Sequence, residues 1–174
     1  DRLIFGSATD PGSEQHAYTL PTLLGSTKVT TFGAFLPRAD YEALLSEANL
    51  YFAPRLYEGV GMTVLEAMGS GCAVLAHDTP TMNEYIAHRH NGWLFPSIRP
   101  PLWRERLQSG LHRRFPRVIP AAHPASTLPL DQEWSALRRT DWAQLGQQAR
   151  RDQATGHQIW LGQLPALARF ILDW

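Results

Sequence analysis

Glu58-Gly59-Val60-Gly61-Met62-Thr63-Val64-Leu65-Glu66-Ala67-Met68-Gly69-Ser70-Gly71 sets two carboxylates eight positions apart across a glycine turn that opens a short amphipathic run. Met62, Leu65 and Met68 recur at helical spacing, so the stretch reads as a turn entering a helix with these three on its apolar side. A glycine turn before a helix start makes an anion site. Gly59 and Gly61 let the backbone come close to a ligand, and the first free N–H groups of the helix, near Met62 and Thr63, point toward it. Phosphate is the natural guest.

The two acids then take different positions. Glu58 lies before the helix, beside whatever the N–H groups hold, while Glu66 is one turn beyond Thr63 on the same side. One acid thereby reaches each end of a diphosphate ligand. Glu66 is flanked by Val64, Leu65, Ala67 and Met68, and a carboxylate in that setting wants two donors, such as vicinal hydroxyls. A bare pair of glutamates at this spacing is more often two solvated side chains. The whole block is far more specific.

Working outward, Leu50-Tyr51-Phe52-Ala53 reads as a buried strand, and Pro54 to Tyr57 carry the chain from its end to Glu58, which puts the site at a strand's carboxyl end. Arg55 there is either a rim arginine or a neutraliser of a diphosphate. Ala73 to Ala76 forms the strand after the block. Upstream, Arg2 to Phe5 reads as a strand stopped by Gly6-Ser7, candidates for the pocket rim, and Lys28 to Phe32 as a second strand. Residues 13 to 24 read as a short helix interrupted by Pro21. Asp40 is a plausible N-cap for a helix over Tyr41 to Ala48. From Leu3 to Phe95 the alternation is that of an α/β, doubly wound parallel sheet.

Composition bounds the rest. With 174 residues, 44% of them hydrophobic, the chain suits one well-buried domain and is too short for two full nucleotide-binding domains. Sixteen basic and 16 acidic residues balance, so no global field argues for a nucleic-acid partner. The halves differ: residues 1 to 96 carry minus five and 97 to 174 plus five. Cys72, the single cysteine, excludes an internal disulfide and a thiolate metal cluster and fits a cytoplasmic setting. His88 and His90 lack a third ligand at fixed spacing, so no metal is expected. His77-Asp78 either orient one another near the pocket mouth or cap the next turn. The chain opens on Asp1 with a strand almost at once, which reads as a piece of a longer protein.

The block EGVGMTVLEAMGSGCAVLA resembles the donor-binding domain of retaining GT-B glycosyltransferases of the group 1 (family four) kind. Those enzymes carry a Glu, seven residues, Glu motif around this glycine turn, then Glu-Ala-Met and a Gly-x-Pro-Val strand. Ala73 stands here where proline is commoner. Thr79 to Ile86, with Asn83-Glu84-Tyr85-Ile86, is similar to the family's short Glu-x-Ile helix, Asn91-Gly92-Trp93-Leu94-Phe95 to its Asn-Gly-x-Leu turn and last strand, and Leu145-Gly146-Gln-Gln-Ala149-Arg150, followed by Trp160, to its closing helices. The fold implied is Rossmann-like, the C-terminal half of a GT-B fold with added C-terminal helices.

That resemblance implies a nucleotide-diphosphate sugar as substrate, with no cofactor and no metal. Its phosphates and sugar would lie on Gly59, Val60, Gly61, Met62 and Thr63, its ribose on Glu66 and its base against Leu36 and Pro37, with Arg38 beside them as a contact or a solvated charge. Glu58 would be catalytic, near the sugar hydroxyls. The expected acceptor is a glycan or a lipid-linked glycan, as in polysaccharide biosynthesis. Family members add an Arg and Lys ahead of the first strand and an N-terminal acceptor domain, and neither is in this stretch. Alone it would bind donor weakly and not transfer.

The domain expected is 1 to 174, with an α/β core over 1 to 96, a Pro/Arg-rich irregular insertion over 97 to 133 holding one helix near Leu102 to Leu111, and closing helices over 134 to 174. Solvated charge is the plain reading of the insertion's arginines. A peripheral contact with the inner face of a membrane, an acidic acceptor or a neighbouring domain are the alternatives. A different class remains open, a non-catalytic nucleotide-sugar-binding or assembly subunit of the same fold. An epimerase is disfavoured by the paired glutamates, and a phosphorylase-like relative by the lack of a cofactor lysine, since Lys28 is the sole lysine and opens a strand.

Overall fold

The computed structural model of the protein describes residues 2–6, 22–24, 26–55, 58–95 and 130–172. Ser7, most of the helix expected over 13 to 24, Tyr57, and the insertion from Ser97 through Pro129 with its arginines lie outside them. The chain divides into two compact units, Asp1–Tyr41 and Glu42–Trp174.

The first unit holds β1 (Arg2–Gly6), β2 (Leu23–Leu24) and β3 (Thr27–Phe32) in the order β1-β3-β2. β1 runs parallel to β3, Leu3 opposite Val29, as the alternation from residue 3 onward requires. β2 was not expected. Leu23 and Leu24 pair antiparallel with Lys28 and Thr27, so the end of the expected helix is a strand. The sequence signal was Gly25-Ser26, hairpin-turn chemistry between two strand-forming runs.

The helix α1 (Arg38–Glu47) starts three residues earlier than the Asp40 cap implied, because the Tyr41 N–H donates to the Pro37 carbonyl at 3.1 Å. Asp40 sits inside the first turn, where its charge still favours the helix start.

In the second unit β4 (Leu50–Ala53), β5 (Ala73–His77) and β6 (Gly92–Phe95) form an all-parallel sheet in that order. The class is therefore the α/β, Rossmann-like one expected, with the described strands arranged as two three-stranded sheets. β4 is an edge strand of its sheet. Leu50 and Phe52, alternate residues that share one face of β4, are exposed, against the expectation of a buried strand, while Ala53 on the other face is buried.

α2 (Met62–Ser70) connects β4 to β5 and buries Val64, Ala67 and Met68. The buried stripe is thus shifted from the expected one. Met68 belongs to it, but Met62 is 60% exposed. Cys72 fixes the following turn, its thiol donating to the carbonyls of Leu45 and Ala48, and burial pushes that thiol up to about 11.

α3 (Met82–Tyr85) is a single turn inside the expected 79 to 86. Asn91 follows it, fully buried, its side chain accepting from the Ala87 amide and donating to the Tyr85 carbonyl and to Asp152. This explains the Asn-Gly turn physically: a side-chain amide closes the corner before β6.

Among the described residues two helices follow, α4 (Leu130–Arg138) and α5 (Trp142–Leu172). α4 starts directly after Pro129, so Leu130 to Glu133 are helical rather than part of the irregular stretch drawn to 133. α5 is a continuous helix of 31 residues with Pro165 inside it. Its first half packs on α2 and β5. Gly146 makes that possible, since a Cβ there would run into the Gly71 carbonyl. Beyond His157 the helix is mostly exposed, with Trp160, Leu167 and Phe170 uncovered. Among the described residues no helix is long and apolar enough to cross a membrane.

Candidate donor site at the carboxyl end of β4

The turn between β4 and α2 forms as the glycines dictate. Gly61 takes φ 68°, ψ 40°, a left-handed conformation that glycine holds without strain, and no side chain caps the helix. The amides of Val64 and Leu65 both find the Gly61 carbonyl, at 3.0 and 3.1 Å. Helix geometry leaves the Met62 and Thr63 amides, at the positive end of the macrodipole, with no intrahelical acceptor.

A cavity of about 280 Å³ opens here, lined by Ala53, Pro54, Arg55, Glu58, Gly61 and Thr63 among others, with Met82 contributed by α3. Glu58 is held in place by its own neighbours: its Oε1 accepts from the Gly59 amide at 3.2 Å and its Oε2 lies 3.5 Å from the Arg55 guanidinium. Arg55 is highly exposed, so this pair stabilises the fold little and leaves a mobile cation beside the turn.

The other face of the turn is closed by α3. The Thr81 hydroxyl is shared between the Glu58 and Gly59 carbonyls at 3.1 and 3.0 Å, and the Tyr85 hydroxyl donates to the Val60 carbonyl at 2.9 Å. Burial, with Glu84 beside it, pushes the Tyr85 hydroxyl's pKa up, so it stays protonated and able to donate. Sequence reading missed both residues, which lie 22 to 25 positions from the carbonyls they serve.

Of the residues singled out in the sequence, Glu58, Val60, Gly61, Met62 and Thr63 all line this cavity, and Gly59 joins them in the turn. Glu66 is half-buried on α2, one turn beyond Met62, and is not among the cavity's lining residues. Leu36 and Pro37 belong to the first unit, where the Pro37 carbonyl starts α1. His77 and Asp78 do not pair: Asp78 takes the Asn83 amide at 2.9 Å, and the buried His77 Nδ1 has no partner among the described residues. His88 accepts the Leu94 amide and stacks edge-on against Trp93, and His90 meets Asp152 at 3.3 Å, so both serve the fold.

A wider cleft, about 580 Å³, lies between the start of β6 and the α4–α5 turn, bordered by Arg89, Trp93, Arg139 and Asp141. It contains none of the turn's amides, and its helix start is already capped, because Asp141 Oδ1 accepts the Gln144 amide at 3.0 Å. Size favours this cleft, but donor chemistry favours the smaller cavity.

A glycine turn and an uncapped helix start thus stand together at a strand's carboxyl end in a parallel sheet, an arrangement suited to an anion. The chain belongs to the glycosyl transferases group 1, whose family model matches residues 3–117. It is 35% identical over 60 residues to the UDP-N-acetylglucosamine--peptide N-acetylglucosaminyltransferase GtfA subunit of Streptococcus pneumoniae serotype 4 (strain ATCC BAA-334 / TIGR4), covering 34% of this chain and 12% of that one. It is 29% identical over 113 residues to "Putative glycosyltransferase EpsD" of Bacillus subtilis (strain 168), covering 64% of this chain and 28% of that one. The chain therefore spans under a third of the length of these curated relatives.

Proposed function

We propose that the chain is the donor-binding part of a retaining glycosyltransferase that moves a sugar from a nucleotide-diphosphate sugar to a glycan or lipid-linked acceptor. The observation that carries this reading is the uncapped, glycine-entered start of α2 beside Glu58. The diphosphate lies on the amides of Gly59 to Thr63, with Arg55 able to swing from Glu58 to a phosphate oxygen. Glu66 takes the ribose hydroxyls and Glu58 the sugar, near the bond that breaks. As the sugar leaves, negative charge grows on the terminal phosphate. The helix start contributes up to about 2 kcal/mol to holding that charge. No metal or other cofactor takes part. The acceptor side comes from an N-terminal domain outside this stretch, so the chain alone binds donor and does not transfer, in a cytoplasmic setting at or near the membrane's inner face.

Calorimetric titration with UDP, GDP and ADP tests the reading, with UDP first because a relative is named for a UDP-sugar. One nucleotide binds in the micromolar to millimolar range, and Glu66→Ala weakens it roughly ten- to a hundredfold, the equivalent of losing charge-assisted bonds to ribose. Equal affinity for wild type and variant sinks the assignment.

The second reading is a non-catalytic binding or assembly subunit; a relative named as a transferase subunit supports its assembly part alone. Glu58→Ala in the full-length protein separates the two. In a transferase, turnover falls more than nucleotide affinity. A binding subunit shows no turnover to lose.

A further inference from the structure

We infer that Thr81 and Tyr85 are positioning residues that aim the anion-holding amides of the β4–α2 turn, an inference that rests on the donor-site reading above. In a planar trans peptide the carbonyl of one residue and the N–H of the next point in opposite directions. The Thr81 hydroxyl holds the carbonyls of Glu58 and Gly59, and the Tyr85 hydroxyl holds that of Val60. The amides of Gly59, Val60 and Gly61 are therefore turned away from α3. Gly59 and Val60 are exposed, and the Gly59 amide already holds an anionic group, the Glu58 carboxylate. With Met62 and Thr63 following, the amides of Val60 to Thr63 continue that run as successive backbone donors of the kind that hold phosphate.

Two further observations show that the arrangement is specific. Thr81 has φ 78°, ψ −56°, the γ-turn geometry that β-branched residues rarely hold. That strained backbone is what carries its hydroxyl to two carbonyls at once. A Cβ at Gly61 would also meet Thr81 Cγ2 and Tyr85 Cε2, each at 3.5 Å, so both side chains pack against the point where the turn becomes left-handed. Neither residue needs to touch the ligand. They act through the backbone that does.

The test uses the 174-residue chain with inorganic pyrophosphate as probe, in wild type and in Thr81→Ser, Thr81→Gly, Thr81→Val and Tyr85→Phe. Wild type binds pyrophosphate, and its Val60 and Gly61 amide resonances shift on binding. Thr81→Val and Tyr85→Phe bind roughly five- to tenfold more weakly, matching one lost hydrogen bond each. Thr81→Ser restores affinity. Thr81→Gly, which accepts the left-handed backbone but lacks the hydroxyl, keeps wild-type melting behaviour and loses affinity. Residual dipolar couplings of the Val60 and Gly61 N–H vectors, measured without probe, change in Thr81→Val and Tyr85→Phe. Unchanged couplings overturn the aiming role whatever the affinities. Changed couplings with no pyrophosphate binding by wild type overturn the donor-site reading and the anion role together. Wild-type affinity in a destabilised Thr81→Val leaves only a structural part for the hydroxyl and overturns the inference.

Discussion

The β4–α2 turn and the α4–α5 side of β6 handle polar groups in opposite ways. Around β6 the chain satisfies most of them internally, Glu133 Oε1 excepted among the described residues. Asp141 caps α5 through the Gln144 amide, Trp93 Nε1 donates to Glu133 at 3.1 Å, and Asp152 receives Asn91, Gln148 and His90. At the turn the carbonyls are held by Thr81 and Tyr85 and the Gly59 amide by Glu58, while the helix that follows has a glycine where a capping side chain would sit. A side-chain cap is typically worth about 1 kcal/mol. α2 forgoes that stabilisation and starts without a side-chain cap, as a ligand-facing helix start would, whereas α5 uses its own start for stability. The site is thus recognisable by what it leaves unsatisfied rather than by its size.

The largest effect should come from Gly146→Ala, which tests the structural side. The added methyl meets the Gly71 carbonyl where α5 crosses the α2–β5 turn. Overpacking of this kind costs up to about 3 kcal/mol, and alanine's better helix propensity returns about 1, which leaves a net loss near 2. For a chain of 174 residues that lowers Tm by about 4 to 8 °C. Thermal unfolding followed by circular dichroism checks it. Nucleotide affinity of the folded variant should stay within about twofold of wild type. A stabilised variant would mean the two helices are not packed through this glycine.

Asp141→Ala probes the contrast itself at smaller amplitude. Removing the cap should cost about 1 kcal/mol, a fall in Tm of about 2 to 4 °C, with no change in nucleotide affinity. Thr81→Val is the counterpart at the other helix start, where affinity carries the effect. If Asp141→Ala also weakened nucleotide binding, the division between a structural and a ligand-facing helix start would fail.

What the sequence revealed follows the same division. The β4–turn–α2–β5 unit was legible because glycines, a strand and a helical run sit consecutively, and the lengths of β4 and the start of α2 agree with that reading. The buried stripe was misjudged. Met62 has the right spacing to pack inward, yet its place in the first turn puts it at the cavity. Thr81 and Tyr85 were invisible, because neither a left-handed threonine nor a hydroxyl's reach over more than 20 residues leaves a local pattern. Gly146 was seen as part of a motif, but only the crossing of α5 over Gly71 gives it a physical reason.

The smallest expected effect concerns Glu133, a carboxyl only 2% exposed with one oxygen on Trp93 and the other, Oε1, without a partner among the described residues. Burial pushes its pKa above the ordinary value, and the Trp93 N–H and the Arg89 charge pull only partly the other way. In the folded state the proton is therefore kept at a pH where the unfolded chain has released it. The stability this group contributes is complete below the usual carboxylate value of about 4.3 and is lost as pH rises through the raised folded value. Glu133→Gln keeps the shape and an acceptor for Trp93 but does not titrate. The variant should match wild type at low pH and melt higher than wild type at neutral pH, with the gap opening as pH climbs out of the carboxylate range. Tm measured against pH for both proteins checks the sign. A gap that closed with rising pH would show that Glu133 is held ionised, and that the β6 side is not as fully closed to charge as its hydrogen bonds indicate.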